Sequence, residues 1–174
     1  MKKGAVTVID QKEEKRARLT AKTFVRLVAA SRLPLKGVGG AMQQEILLRK
    51  KFFSLDETSR FEVANLLSKE KSEIASLLLA NVLRRDPSPL VRHEAAFALG
   101  CVGKSDSVRI LKIVLAGDKS ALVRHEAAMA LSEIGQMEDL PALETGLKDR
   151  SREVSISCRV AISRITQRTG LTDA

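Results

Sequence analysis

The 174-residue sequence is poor in aromatic residues and in cysteine. It has no tryptophan or tyrosine, so five phenylalanines make up the entire 3% aromatic content. A core so short of aromatics must be built from Leu, Val, Ile and Ala, which suits closely packed helices better than a β-sandwich. Two cysteines, Cys101 and Cys158, are too few for a disulfide framework and too far apart for a C-x-x-C metal motif. We therefore expect an all-α protein with two buried thiols, as in a reducing compartment.

Long hydrophobic runs are missing as well. No stretch approaches the roughly 20 apolar residues that a transmembrane helix requires, and the apolar run at positions 5–9 is too short for a signal peptide. The glycines at 37, 39 and 40 lack the lysine of a phosphate-binding loop. No Ser/His/Asp or Cys/His constellation can be assembled from the sequence either. These absences predict a cytoplasmic protein that does not contact membranes.

Positive charge is concentrated in the first third of the chain. The net charge is +9, and residues 1–60 carry +8 of it, with 14 Lys and Arg against 6 Asp and Glu. A helix predicted over about 11–32 carries a basic stripe of Lys15, Arg18, Lys22 and Arg26. Such a stripe can contact nucleic-acid phosphates or an acidic partner, or it can be the solvated face of a capping helix. With no Trp or Tyr to stack on bases, the capping interpretation is favoured, and residues 1–40 are interpreted as a basic arm plus capping helix.

A nine-residue segment, V-R-H-E-A-A-F-A-L at 91–99, recurs almost unchanged at 123–131. The period of 32 residues is typical of stacked helical hairpins. Potential N-cap residues follow the same period, since Asp56, Ser88, Ser120 and Ser151 are 32, 32 and 31 residues apart. The sequence thus predicts a repeat array over 41–168, followed by a frayed end at 169–174.

Each repeat is predicted to contain two helices with different tasks. The first helices should supply Leu47, Leu79, Leu111 and Leu143 to the core. On a helical wheel of the second helices, His93 and His125 lie opposite the core stripe. Phe97 and Met129 project on that same outer face. Gly103 and Gly135 are expected to end two of the second helices.

These second helices resemble the HEAT-like repeat of the phycobilin-lyase and deoxyhypusine-hydroxylase type, whose second helix typically reads V-R-x-x-A-A-x-A-L-G. The resemblance implies an all-α superhelix, a short α-solenoid of about four helical hairpins plus the leading N-terminal helix. As a scaffold, such a solenoid would bind a partner protein through its concave second-helix face. The candidate contact residues are Phe97, Met129, Arg92 and Arg124.

The two His-Glu pairs support a second hypothesis. Stacked helices lie about 8–10 Å apart, so His93 and His125 could converge on one atom, flanked by Glu94 and Glu126. Two imidazoles with carboxylates are typical of non-haem Fe(II) sites. Deoxyhypusine hydroxylases carry repeated His-Glu pairs, two in each half, that hold a di-iron centre and bind O2. The resemblance implies that these four residues are iron ligands for an oxygenase-like activity.

This chain matches only one half of that pattern, because the flanking repeats have Phe61-Glu62 and Ile156-Ser157 instead. A complete di-iron site would then require a homodimer. The alternative is a mononuclear metal site within one chain, with water completing the coordination shell. Alternatively, the His-Glu pairs are ordinary surface residues copied when a repeat was duplicated. Whether the protein is an enzyme therefore stays open, and the scaffold is the favoured hypothesis.

Overall fold

The computed structural model describes the backbone of residues 11–30 and 38–170, with side chains described there except at 38–42 and 44. In these ranges the chain forms nine α-helices. In chain order they are α1 Gln11–Ala30, α2 Val38–Phe53, α3 Glu57–Leu67, α4 Glu73–Arg85, α5 Pro89–Val102, α6 Val108–Gly117, α7 Ala121–Ile134, α8 Leu140–Gly146 and α9 Arg152–Arg168. Short 3₁₀ turns at Ser105–Ser107 and Met137–Asp139 precede α6 and α8.

The helices form two layers. The second helices α3, α5, α7 and α9 pack side by side in chain order, and the first helices α2, α4, α6 and α8 pack beside one another in the other layer. Helix α1 packs on α3 and so extends the second-helix layer at one end. The prediction of an all-α stack of about four hairpins with a leading helix is therefore confirmed. We call the exposed side of α3, α5, α7 and α9 the second-helix face.

The core is aliphatic, as the composition predicts. Leu79, Leu111 and Leu143 are fully buried on successive first helices. The prediction for Leu47 is wrong, because Leu47 is 61% exposed and its neighbour Leu48 is 3% exposed. Helix α2 is turned so that Leu48 and Phe52, four residues apart, point inward.

The turns between the helices of each repeat are held by aspartates. Asp86, Asp118 and Asp149 each accept a hydrogen bond from the backbone N–H of the serine two residues later, at 2.9, 2.8 and 2.7 Å. The predicted N-cap positions are all correct. Of their side chains, Asp56 and Ser88 accept a first-turn N–H, whereas those of Ser120 and Ser151 make no such bond. The aspartate two residues earlier fixes the turn there instead.

Glycine and cysteine positions differ in part from the predictions. Gly103 ends α5 with a φ of +72°, as a left-handed helix stop requires, but Gly135 ends α7 in extended backbone. Helix α2 begins at Val38, so Gly39 and Gly40 lie in a helix and not in the predicted loop. Cys158 is buried as predicted. The prediction of a second buried thiol is wrong, since Cys101 is exposed on α5. The predicted arm at 1–10 and the last four residues lie outside the described residues.

Candidate functional site

Arginines at the same position of three second helices tie successive hairpins together. Arg60 binds Asp86, Arg92 binds Asp118 and Arg124 binds Asp149, each through two nitrogens at 2.7–3.1 Å. Each guanidinium also donates to a backbone carbonyl of its own turn, at Leu55, Asp86 and Asp118. We call these three pairs the Arg–Asp ladder.

The ladder changes the interpretation of Arg92 and Arg124, which the sequence placed among the partner contacts. Their side chains are only 14% and 4% exposed, and both are committed to bonds inside the chain. Both side chains therefore have little free surface to offer a partner protein. The signal was present in the sequence, because the three Arg–Asp separations are 26, 26 and 25 residues.

The two histidines share the second-helix face, but each is held by the helix that follows. His93 Nε2 on α5 lies 3.2 Å from a carboxylate oxygen of Glu126 on α7. His125 Nδ1 on α7 lies 2.6 Å from Ser157 Oγ on α9. Ser157 occupies the position on α9 that Glu126 occupies on α7. Each imidazole thus contacts the same position one helix further along the stack.

The environment of His93 favours its protonated form. The hydrogen bond with Glu126 raises its pKa above the ordinary histidine value, partial burial opposes this, and the charges of Glu126 and Glu94 add to the increase. When His93 is protonated, it forms an ion pair with Glu126 across α5 and α7.

Glu94 is the most enclosed member of the group, with 7% of its surface exposed. Burial raises its pKa; the neighbouring His93 opposes the shift, and the charges of Glu126 and Glu62 reinforce it. Among the described residues, no hydrogen bond or ion pair to its carboxylate is found. On the preceding second helix, α3, Phe61 occupies the position of the histidines, and its side chain cannot donate a hydrogen bond. Glu94 is therefore a largely buried residue without the partner that Glu126 has. Since no buried side-chain oxygen of the described residues lacks a hydrogen-bond partner, its carboxylate oxygens still reach solvent.

An open groove of about 400 Å³ lies between α5 and α7 on the second-helix face. Phe97, Met129 and Ala130 provide its apolar surface, and Glu126 and Glu133 provide carboxylates. Phe97 is 44% exposed, and Met129 is half-buried. The structure therefore brings together the two apolar residues that the sequence placed on this face.

The apolar surface extends onto α9, which the sequence analysis missed. Val160 occupies the position of Phe97 and Met129 one repeat later, and Ile156 occupies the position of the histidines. Both are exposed. The signal was the shorter 31-residue offset of the last repeat. We call Phe97, Met129 and Val160 the apolar row.

Cys101 lines the same groove. Partial burial raises the pKa of its thiol, and the carboxylates of Glu126, Glu94 and Glu133 raise it further. The thiol is thus kept protonated at neutral pH, which does not favour a role as a nucleophile.

The basic stripe of Lys15, Arg18, Lys22 and Arg26 is exposed on α1, opposite the residues that dock the helix on α3. Arg18 binds Glu14 at 2.7 Å and lies 3.8 Å from Glu62 on α3. The stripe thus reaches the edge of the second-helix face.

The candidate metal ligands satisfy only part of what an iron site needs. His93 and Glu126 are in contact and Glu94 is nearby and unpaired, so nitrogen and oxygen donors are present. Yet among the described residues no group of three or more His, Cys, Asp and Glu side chains is arranged to hold a metal ion. Within one chain the donor set does not fit a di-iron centre.

None of the helices in the described ranges is long and apolar enough to cross a membrane.

Comparison with known proteins agrees with this architecture. A family model described as HEAT repeats matches residues 76–163, slightly more than half of the chain. Curated protein sequences give no match. Among solved structures, the chain is similar to human deoxyhypusine hydroxylase in complex with glycerol, with a TM-score of 0.60 and 24% sequence identity. That similarity covers 89% of this chain and 68% of the human chain, and at this identity it concerns the fold.

Proposed function

The chain belongs to the HEAT-repeat family, and from this premise we propose that it is a scaffold that binds a partner protein through its second-helix face. The observation that carries the proposal is the apolar row, which places exposed Phe97, half-buried Met129 and exposed Val160 on three adjacent helices, with Phe97 and Met129 lining a groove. A solenoid of parallel helices has no chemical reason to repeat exposed apolar residues at one position. Exposed apolar groups in a row are typical of a surface that another protein covers.

The surroundings of the apolar row favour a specific contact. Aromatic and Met side chains are enriched at the centres of protein interfaces, and charged residues are enriched at their rims. Here Phe97 and Met129 lie centrally, and Glu133 lies at the rim, bound to Arg164 at 2.7 Å. The Arg–Asp ladder keeps the helices in fixed register, so this surface is preorganised for binding. The basic stripe of α1, at the end of the same layer, offers an additional contact for an acidic part of the partner.

The partner can be identified by site-specific cross-linking. A photoreactive phenylalanine analogue at Phe97 should cross-link a defined protein in cells, and the same analogue at Ile113, in the other layer, should not cross-link that protein. The Phe97→Ser/Met129→Ser variant should then bind the purified partner about 30- to 1,000-fold more weakly, since central interface residues each contribute about 1–2 kcal/mol. The matched control, Leu19→Ser/Leu47→Ser, changes two exposed leucines outside the groove and should bind normally. Equal affinity of all three proteins in calorimetry would contradict the proposal.

A second candidate function is a metalloprotein that resembles deoxyhypusine hydroxylase. It is favoured by the contact between His93 and Glu126 and by the unpaired, buried Glu94. In this proposal His93, Glu94, His125 and Glu126 of one chain provide part of an iron site, and a second copy of the chain provides the rest. Bound iron would supply oxygenase-like chemistry, and the four residues would hold the metal.

Metal analysis of protein purified without nickel tests this second candidate. It predicts a dimer by light scattering, iron in the purified sample, and a higher melting temperature when Fe(II) is added, because a bound ion stabilises the folded state. His93→Ala and Glu126→Gln should each abolish all three effects. A monomer whose melting temperature is unchanged by Fe(II) would rule out the shared site and leave the scaffold proposal intact.

A further inference from the structure

A second groove lies in the other layer, between the first helices α4 and α6. Its volume is about 420 Å³. Leu77 on α4 and Ile113 on α6 line it and are 48% and 56% exposed. The groove therefore offers two large aliphatic side chains to solvent, on the side of the molecule that the proposed scaffold function does not use.

Positive charge surrounds this apolar floor. Arg84 and Arg109 line the groove, and Arg85 adjoins it on α4; all three are exposed. Among the described residues none of these guanidiniums makes a hydrogen bond or an ion pair. The arginines of the Arg–Asp ladder, in contrast, are each bound to an aspartate. One carboxylate, Asp106, also lines the groove, so the lining retains a net positive charge.

The positions of the two lining arginines define the spacing of a ligand. Arg109 lies one 32-residue period after Leu77, so these two residues are at the same level on neighbouring helices. Arg84 is seven residues further along α4 than Leu77, or about 10 Å along the helix axis at 1.5 Å per residue. The backbone positions of the two arginines are thus about 10 Å apart along the helix axes, with Leu77 at the level of Arg109 and Ile113 at a level between the two arginines.

We propose that this groove binds an amphipathic, acidic helix of a partner protein. A helix lying along the groove would present carboxylates at positions i and i+7, about 10 Å apart, to Arg109 and Arg84. Leucine or isoleucine at i+3 or i+4 would cover Leu77 and Ile113, which is the helix-in-groove mode of recognition. Nucleic-acid phosphates would also attract the arginines, but they offer nothing to the aliphatic floor. The protein then has two independent docking surfaces, one on each layer.

The test uses two synthetic helical peptides that share leucines at i+3 and i+4. One carries glutamate at i and i+7, and the other carries lysine at the same positions. In fluorescence anisotropy titrations the glutamate peptide should bind the wild-type protein saturably, at least about tenfold more tightly than the lysine peptide. The charge-reversed variant Arg84→Glu/Arg109→Glu should invert this order. Tenfold corresponds to about 1.4 kcal/mol, which two weak surface ion pairs can supply.

A matched variant, Arg150→Glu/Arg159→Glu, changes the same net charge at exposed positions away from the groove and should retain the wild-type order. The four substituted arginines are exposed, so circular dichroism should show unchanged helicity. The proposal is overturned if the glutamate peptide does not bind saturably, or if charge reversal leaves the order of the two peptides unchanged. It is also overturned if a DNA duplex binds the groove more tightly than the glutamate peptide, as judged by loss of binding in the charge-reversed variant.

Discussion

At the scale of single residues, identical sequence motifs have different surroundings. The V-R-H-E segments at 91–94 and 123–126 differ in nothing, yet His93 contacts a carboxylate and His125 contacts a hydroxyl. The difference comes from the next helix along the stack, which presents Glu126 in one case and Ser157 in the other. The chemistry of each residue on this face is therefore decided by the adjacent repeat.

Glu94 shows the consequence for stability. Its pKa is raised, mainly by burial, so the native state binds a proton more tightly than the unfolded state does. Stability then falls as pH rises from the ordinary value of 4.5 through the raised pKa. Glu94→Gln removes a charge that burial disfavours, so we expect the variant to be more stable than the wild type at neutral pH. At acidic pH, where the wild-type residue is already neutral, the difference should vanish.

Urea unfolding of wild type and Glu94→Gln at about pH 4 and pH 7.5 checks this expectation. Glu133→Gln, at an exposed position on α7, is the control and should change stability little at either pH. A Glu94→Gln variant that is less stable than wild type at pH 7.5 would show that the carboxylate has a stabilising partner, as it would in a metal site.

The residues that share the second-helix face could be predicted from the sequence, but the contacts between them could not. The helical wheel predicted that His93, His125, Phe97 and Met129 share one side, because that depends only on the helix period. It could not predict whether the imidazoles meet each other or the next helix, because rotamers and inter-helix spacing decide that. The prediction that Cys101 is buried was wrong for a different reason. Cysteine is usually buried, but Cys101 lies four residues after Phe97, on the exposed side of α5.

At the scale of elements, the Arg–Asp ladder explains why the hairpins keep a common register. Each arginine extends from a second helix and binds the aspartate in the turn of the next hairpin, just before that hairpin's second helix. The same aspartate accepts the serine N–H of that turn, so one carboxylate fixes both the turn and the neighbouring helix. Its repeat at 25 or 26 residues was readable in the sequence. It was missed because Arg92 and Arg124 were interpreted as contacts with a partner protein.

The ladder predicts a large cost for removing Arg124. Arg124→Met leaves Asp149 without its guanidinium in a mostly buried position, and we expect a loss of about 3 kcal/mol in the free energy of unfolding. Arg150→Met, an exposed neighbour, should change stability by less than about 0.5 kcal/mol. Urea unfolding at neutral pH measures both values.

Acid should reduce this difference. The hydrogen bond from Arg124 lowers the pKa of Asp149 below its ordinary value of 3.8. A lowered carboxyl pKa contributes stability that is present above the ordinary value and is lost as pH falls through the lowered one. The gap between wild type and Arg124→Met should therefore shrink below about pH 4. An unchanged gap in acid would show that Arg124 stabilises the protein through packing and its bond to the Asp118 carbonyl.

At the scale of the whole molecule, the two ends of the stack are closed differently. At the C-terminal end, α9 has the exposed, charged Arg159 at the position of the buried Ala96 and Ala128 of the central second helices, so its outer surface is polar. The other end is closed by α1, which buries Ala17, Ala21, Phe24 and Val28. The sequence predicted a capping helix over about 11–32 at this end. The rotation of α2, which buries Leu48 in place of Leu47, was not predictable, since α2 lies outside the strongly repeated segments.

A stack of this kind transmits destabilisation only to neighbours. Phe24 is 2% exposed and packs edge-to-face on Phe52, with ring centroids 6.0 Å apart. Phe24→Ala should cost about 3–4 kcal/mol locally, so hydrogen exchange measured by mass spectrometry should show loss of protection in α1 and retention in α5 and α7. Leu131→Ala, in the centre of the array on α7, should instead reduce protection on both sides of it. Equal loss of protection in all helices of Phe24→Ala would mean that the stack unfolds as one cooperative unit and that α1 is part of that unit.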